Sequence, residues 1–519
     1  MRSADPRWIT TFTSVLISLV SWVLFSTSDT ELSTTPTLEQ IRRAAGTDDL
    51  PTGDRCLSIQ GGGSYRGTDA NYEMQLGAGG AYRYEIDGPM ATVVTSDGQR
   101  VWQRDGASAV FELQLIMKEA LRLGIWIESG YWLAEEAPIV LGEPLRRGDD
   151  WVVTARTRDG LLDVVVTLDE DTFHPTHVDM ANFGADLAID YSDYRAVDGL
   201  KIPHRIRGTD KAGGVDDFRV RKAVTTDCNA EALASLPRGV DDTTFDSATP
   251  SQLNVRRIGT GHVAVKPVID GKPTGWFIFD SGAGASVITP AAAKRLGLEK
   301  VGMTVLGGSG EDVAATPLYA IDTFQLGPMT VQNLAFMEMD IDTAVPSLRG
   351  IEGVIGWDIL IRARVAMELD TPALNVHDSA GEADADIEWQ PLVLHGKHPH
   401  VPGTFDGGQP GLFSLDTGAA NTTVVFYSPV VERFSLLGKK SGPTRTFNGA
   451  GGASRYVNGR LGWVEIGGHR YDDLPVRLSL DKAGAMADPY GLGNVGVTIL
   501  RDYRLVFDYP NQRIALVAL

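Results

Sequence analysis

From about Cys56 to Lys222 the apolar positions come in short runs that alternate with polar ones and are cut by Gly and Asp, the period-two pattern of half-buried strands. Two pairs of runs read as hairpins: Ala91 to Thr95 with Arg100 to Gln103 across Asp97 and Gly98, and Trp151 to Arg158 with Leu161 to Leu168 across Asp159 and Gly160. Between them the period changes. Phe111, Leu115, Ala120 and Leu123 recur at helical spacing among charges, which predicts one helix over 111–124 with Gly124 as its stop. A shorter helix is predicted over Leu38 to Ala45, capped by Thr37 and ended by Gly46.

Further along, one order of elements is used twice. The apolar strand Trp276 to Phe279 runs into Asp280, Ser281, Gly282 and Ala283, and Gly411 to Leu415 runs into Asp416, Thr417, Gly418 and Ala419, 136 positions later. Each triplet is followed by a strand and a short helix. In the first half Thr289 caps and Pro290 opens a helix to Leu296, closed by Gly297; in the second Ser428 and Pro429 open one that reaches Leu436. Then come Gly353 to Leu360 and Gly493 to Leu500, each with a glycine four positions before its leucine, and the final strands Val365 to Leu369 and Leu505 to Phe507. A repeat of this length suits a compact lobe rather than a solenoid unit, so two lobes with a cleft between them are expected.

An apolar strand followed by Asp, Ser or Thr, and Gly resembles the signature of the aspartic peptidases, pepsin-like and retropepsin-like. One copy is a common turn; two, in matching surroundings, carry the resemblance. The segment from Arg501 to Leu516, with Phe507, Asp508, Asn511 and Ile514, resembles the closing segment of pepsin-like enzymes. The resemblance implies a mainly β, bilobal double barrel in which Asp280 and Asp416 share one proton and activate a water for attack on a peptide bond. It implies that Ser281 and Thr417 bond across the lobes, and that Gly282 and Gly418 let backbone N–H groups approach the carboxylates. Ala283 and Ala419 stand where pepsins carry a hydroxyl that stabilises the charged carboxylate, so an optimum less acid than pepsin's is expected. Glycine-rich turns at Gly307, Gly308, Ser309 and Gly310, and at Gly449, Ala450, Gly451 and Gly452, fall where the family has its flap, and imply two retropepsin-like flaps in one chain. Which aspartate is the base stays open, and no cofactor is called for. The competing reading is a non-catalytic envelope protein that keeps the cleft to bind peptide and the N-terminal sheet to bind lipid.

Asp190 to Arg195 and Asp198 to Pro203 are similar to strands of the lipoprotein-carrier-like proteins of the bacterial envelope. That implies a curved antiparallel sheet with a helix, serving either as a holder of lipid or another hydrophobic ligand or as a spacer. Arg2 and Arg7 precede an uncharged, largely apolar stretch from Trp8 to Ser28, which reads as a signal peptide or a retained membrane anchor and implies a periplasmic or secreted protein. Cys56 and Cys228, the two cysteines of the chain, permit one disulfide; two separately buried thiols are the alternative. The expected divisions are 1–28 leader, 29–230 carrier-like domain, 231–255 linker, 256–380 first lobe and 381–519 second lobe, with the crossover at Ser379 to Asp386.

Charge narrows the partners. A formal net charge of −20 leaves nothing to neutralise phosphates and argues against nucleic acid. His395, His398 and His400 occupy the place that His262 to Val268 holds in the first half; Glu388 and Asp406 fit no familiar ligand spacing, so no metal is expected. Both triplets lie in one chain, so a monomer acting on a protein or peptide is expected.

Overall fold

In the computed structural model the described residues are 35–45, 51–88, 91–104, 110–134, 137–180, 187–210, 213–237, 241–381, 387–438 and 442–519. The segment that carries the leader expectation lies outside them, as do Gly46 and most of the expected crossover. Among the described residues no helix is long and apolar enough to cross a membrane.

Alternation becomes sheet. Among the described residues, fourteen strands from Arg55–Tyr65 to Val215–Asp227 form one curved antiparallel sheet; its first and last strands pair, and a meander runs outward on each side. In Asp150–Thr157 the buried positions are Trp151, Val153, Ala155 and Thr157, with more exposed side chains between them. Both predicted hairpins form, at Thr92–Asp97 with Val101–Arg104 and at Asp150–Thr157 with Asp163–Leu168. Cys56 and Cys228 are joined by a disulfide that closes 172 residues, so the alternative of separate thiols does not hold. By chain-entropy accounting such a closure contributes up to about 5 kcal/mol.

The helix expected over 111–124 divides. Val110–Leu113 is a strand paired with Val101–Arg104, and the helix is Leu115–Glu128. Phe111 and Leu113 bury on alternate positions, as a strand requires. Gly124 stands inside the helix instead of ending it. Its cost of about 1 kcal/mol is outweighed by the burial of Ile125, Trp126 and Ile127 in the turn that follows.

Downstream, the repeated order yields two similar constructions. Trp276–Phe279 lies between the antiparallel Val263–Val265 and the parallel Ile351–Ile355, and Gly411–Leu415 between His398–Phe405 and the parallel Gly493–Val495. The first short helix is as predicted: Thr289 accepts from the Ala292 N–H at 3.3 Å, Pro290 opens it, and Gly297 closes it at φ 72°. The second is Ser428–Arg433, capped at Tyr427 and shorter than expected. Ser428 does not cap because its hydroxyl donates to the Asp481 carbonyl at 2.6 Å, a tertiary contact.

The last strands of the two halves join them. Arg364–Glu368 pairs antiparallel with Tyr503–Asp508, at the centre of a five-stranded sheet shared by both halves. Within it the buried Asp508 accepts from Asn511 and Arg513. The stretch of linker composition also packs: Thr243–Phe245 pairs with Met329–Glu338, and Asp242 takes Arg362 through two bonds of 3.2 and 2.6 Å, both side chains buried.

Candidate active site

The two Asp turns face each other because the strand ends that carry them are bonded crosswise. Ser281 N–H donates to Thr417 Oγ1 at 2.9 Å and Thr417 N–H to Ser281 Oγ at 3.1 Å. Each hydroxyl then donates to a carbonyl of the opposite strand, Ser281 to Leu415 at 2.8 Å and Thr417 to Phe279 at 3.2 Å. Both residues are almost fully buried, at 2% and 1% exposure, so these bonds are shielded from competing water.

This frame sets the carboxyls. Gly282 N–H donates to Asp280 Oδ1 at 2.7 Å and Gly418 N–H to Asp416 Oδ1 at 2.8 Å. The glycines are needed for space: a Cβ on Gly282 would overlap the Asp416 carboxyl, and one on Gly418 the Asp280 carboxyl. Each carboxyl therefore lies against the glycine of the opposite turn, which sets Asp280 and Asp416 face to face. Burial and the facing Asp416 push Asp280 well above the usual aspartate range. Ala283 and Ala419 bring no side-chain donor; their carbonyls accept from Trp357 and Val497 N–H at 2.9 and 3.1 Å.

The surroundings are less symmetric. Asn494 Nδ2 donates to Asp416 Oδ2 at 2.6 Å. His262 lies within 2.7 Å of both the Gly418 carbonyl, through Nε2, and Thr260 Oγ1, through Nδ1. The carbonyl only accepts, so Nε2 carries the proton, and burial holds this histidine below its ordinary value. Neither residue was singled out for the site from sequence. A signal was present: His262 and His398 are 136 positions apart, the spacing of the two aspartates. Of His395, His398 and His400, the first pairs with Asp488 at 3.1 Å and lies edge-on to His400 at 5.5 Å between ring centroids. Burial pushes His400 down to about 3.

Both glycine-rich turns reach the cavity, and they touch. Gly310 N–H donates to Ala450 O and Asp312 N–H to Gly451 O, both at 3.0 Å, and Ser454 Oγ donates to Ser309 O. A Cβ on Gly308, Gly310 or Gly449 would overlap the opposite turn. A third segment, unforeseen in the sequence, joins them: Ala485 N–H bonds Gly308 O at 2.9 Å and Lys482 N–H bonds Glu311 at 2.6 Å.

Beneath these turns lies a cavity of about 1310 Å³ that both aspartates line. Its first-half wall includes the apolar Ile278, Val305, Leu306, Met337 and Val354 beside Thr260 and His262; its second-half wall carries His395, His398, Lys397 and Asp488. Ile116 and Met117, from the first turn of the helix packed in the N-terminal sheet, line it as well. That helix is anchored nearby, because Phe111 packs edge-on against Trp357 at 5.0 Å and Trp357 bonds the Ala283 carbonyl.

Residues 265–359 and 401–489 match the aspartyl protease family model, so both halves carry the match. No curated protein matches the chain. Among solved structures, the chain is similar to a LolA superfamily protein from Nitrosomonas europaea, at 12% identity over 38% of this chain and 98% of that one, with a TM-score of 0.28. It is similar to a retropepsin-like aspartic protease from Rickettsia conorii, at 16% identity over 25% of this chain and 100% of that one, with a TM-score of 0.20. A DUF1329 family protein from Desulfovibrio piger is similar at 12% identity over 38% and 94%, with a TM-score of 0.26.

Proposed function

We propose that this chain is an aspartic endopeptidase exported from the cytoplasm. The reading rests on one observation: two carboxyls, one from each repeated half, are brought face to face by the crosswise frame in a roofed cavity large enough for several peptide residues. Two such groups do not both ionise at this separation, so the pair holds one proton and one charge. A water between them gives its proton to the charged carboxyl as its oxygen attacks the scissile carbonyl carbon. The protonated carboxyl donates to the carbonyl oxygen, and the resulting diol collapses with protonation of the leaving nitrogen. The crosswise Ser281 and Thr417 bonds keep the two acids at one separation throughout.

Export is supported by the disulfide, which persists in oxidising compartments, and by the basic-then-apolar leading sequence. The substrate is a protein or peptide, and the monomer suffices because both acids are in one chain. Cleavage of casein or a peptide library, blocked by a statine-type inhibitor, is the test. Asp280→Asn and Asp416→Asn are each expected to lower the rate by at least about 10³-fold. Cleavage that survives either substitution would overturn the two-carboxyl mechanism, and no cleavage by the parent chain would leave only a binding cleft.

A further inference from the structure

The repeat that builds the dyad is broken at one position next to it. In the first half, Val354 pairs with Ile278, two residues before Asp280, and with Val287; in the second, Asn494 pairs with Ser414, two residues before Asp416, and with Val425. Val354 and Asn494 therefore occupy the same place in the two halves. Both line the cavity. The first is a hydrocarbon. The second is 5% exposed and puts an amide N–H on Asp416 Oδ2 at 2.6 Å.

We infer that Asn494 is the positioning residue that breaks the symmetry of the pair, holding Asp416 as the charged base and leaving the shared proton on Asp280. The inference rests on the peptidase reading above and deepens it. Gly282 and Gly418 N–H donate to Asp280 and Asp416 at 2.7 and 2.8 Å, so this pair of bonds does not choose between the acids, and Gly418 N–H also acts on Asp280. An amide donor aimed at one carboxylate and not the other does choose, because a hydrogen bond to the charged form favours that form. The other titratable groups that face Asp416 are Asp280, His262, His398 and Tyr427. Burial lowers both histidines below their ordinary value and raises the tyrosine above its own, which favours the uncharged form of all three beside Asp416. With this assignment the attacking water loses its proton to Asp416 while Asp280 protonates the carbonyl oxygen; as the C–N bond breaks, Asp416 gives its proton to the nitrogen and one diol hydroxyl returns a proton to Asp280, which restores the pair. Atoms and charge balance with no further reactant.

The test compares Asn494→Val with Asn494→Thr in the full chain. Valine and threonine differ by a methyl against a hydroxyl, and only threonine keeps a donor. With valine the acid limb of the kcat/KM profile is expected to move up by about one pH unit, with KM for a reference peptide unchanged. With threonine, whose hydroxyl is one bond shorter than the asparagine amide but still a donor, the limb is expected to fall between those of the parent and the valine variant. Equal profiles for the two variants, or a loss confined to KM, would overturn the assignment and leave the peptidase reading intact. Should both variants fold poorly, the parent protein still decides the matter: ¹³C signals of labelled aspartate carboxyls, assigned through Asp280→Asn, are expected to show the charged member of the pair at Asp416. A charged Asp280 beside a neutral Asp416 would sink it. Retained cleavage in Asp280→Asn would instead sink the two-carboxyl mechanism itself.

Discussion

Asp280 shows how a single buried acid works against the stability of its own fold. Burial and the facing Asp416 raise its folded-state value well above the unfolded one, so the folded chain binds this proton more tightly. Its contribution is therefore fully present below the unfolded aspartate value, about pH 4, and is lost as the pH rises through the folded value. Asp280→Asn removes that loss. Calorimetry across pH is expected to show a Tm gain for this variant that is absent in acid and grows towards neutrality; a gain of constant size would contradict the account. The aspartates, the crossed hydroxyls and the two glycines were legible in the sequence, because a short turn at a strand end is a local motif. The role of Asn494 was not legible, since its amide meets Asp416 only after Gly493–Val495 lies parallel to Gly411–Leu415.

At the scale of elements, strand periodicity and caps were read well where local forces decide and less well where a tertiary contact competes. Thr289 caps its helix as its sequence implies, whereas Ser428 gives its hydroxyl to Asp481. Phe111 fits a helical period and a strand period alike, and pairing with Val101–Arg104 selects the strand. The two glycine-rich turns were legible as hairpins, but their bonding to each other was not. This bonding makes Gly310 sensitive: a Cβ there would overlap the Gly451 carbonyl and hold the tips apart. Gly310→Val is expected to lower kcat/KM on the order of 10²-fold, with circular dichroism and Tm close to the parent. An unchanged rate would show that the closed roof is not needed for chemistry.

At the scale of the whole molecule, the N-terminal region is part of the cavity's construction. Ile116 and Met117 line the space beside the aspartates, and the Arg66 carbonyl accepts from Met303 N–H at 3.0 Å on Lys300–Leu306, the strand leading to the first glycine-rich turn. Substrate selection is then expected to depend on residues more than a hundred positions away from either acid. Met117→Ala widens the apolar wall, and a peptide library should show preference moving towards larger apolar side chains by about 10-fold or more; an unaltered preference would confine selection to the two lobes. The sequence by itself determined the alternation that makes sheets, the duplicated Asp turns and the first helix cap, since each depends on backbone conformation and hydrophobic period within a few residues. The tertiary structure alone decided which acid receives Asn494, that the glycine-rich tips interlock, and that a helix from the N-terminal sheet reaches the cavity. Those contacts join segments far apart in the chain, and their geometry is set by strand register and by how the sheets dock, neither of which a local pattern encodes.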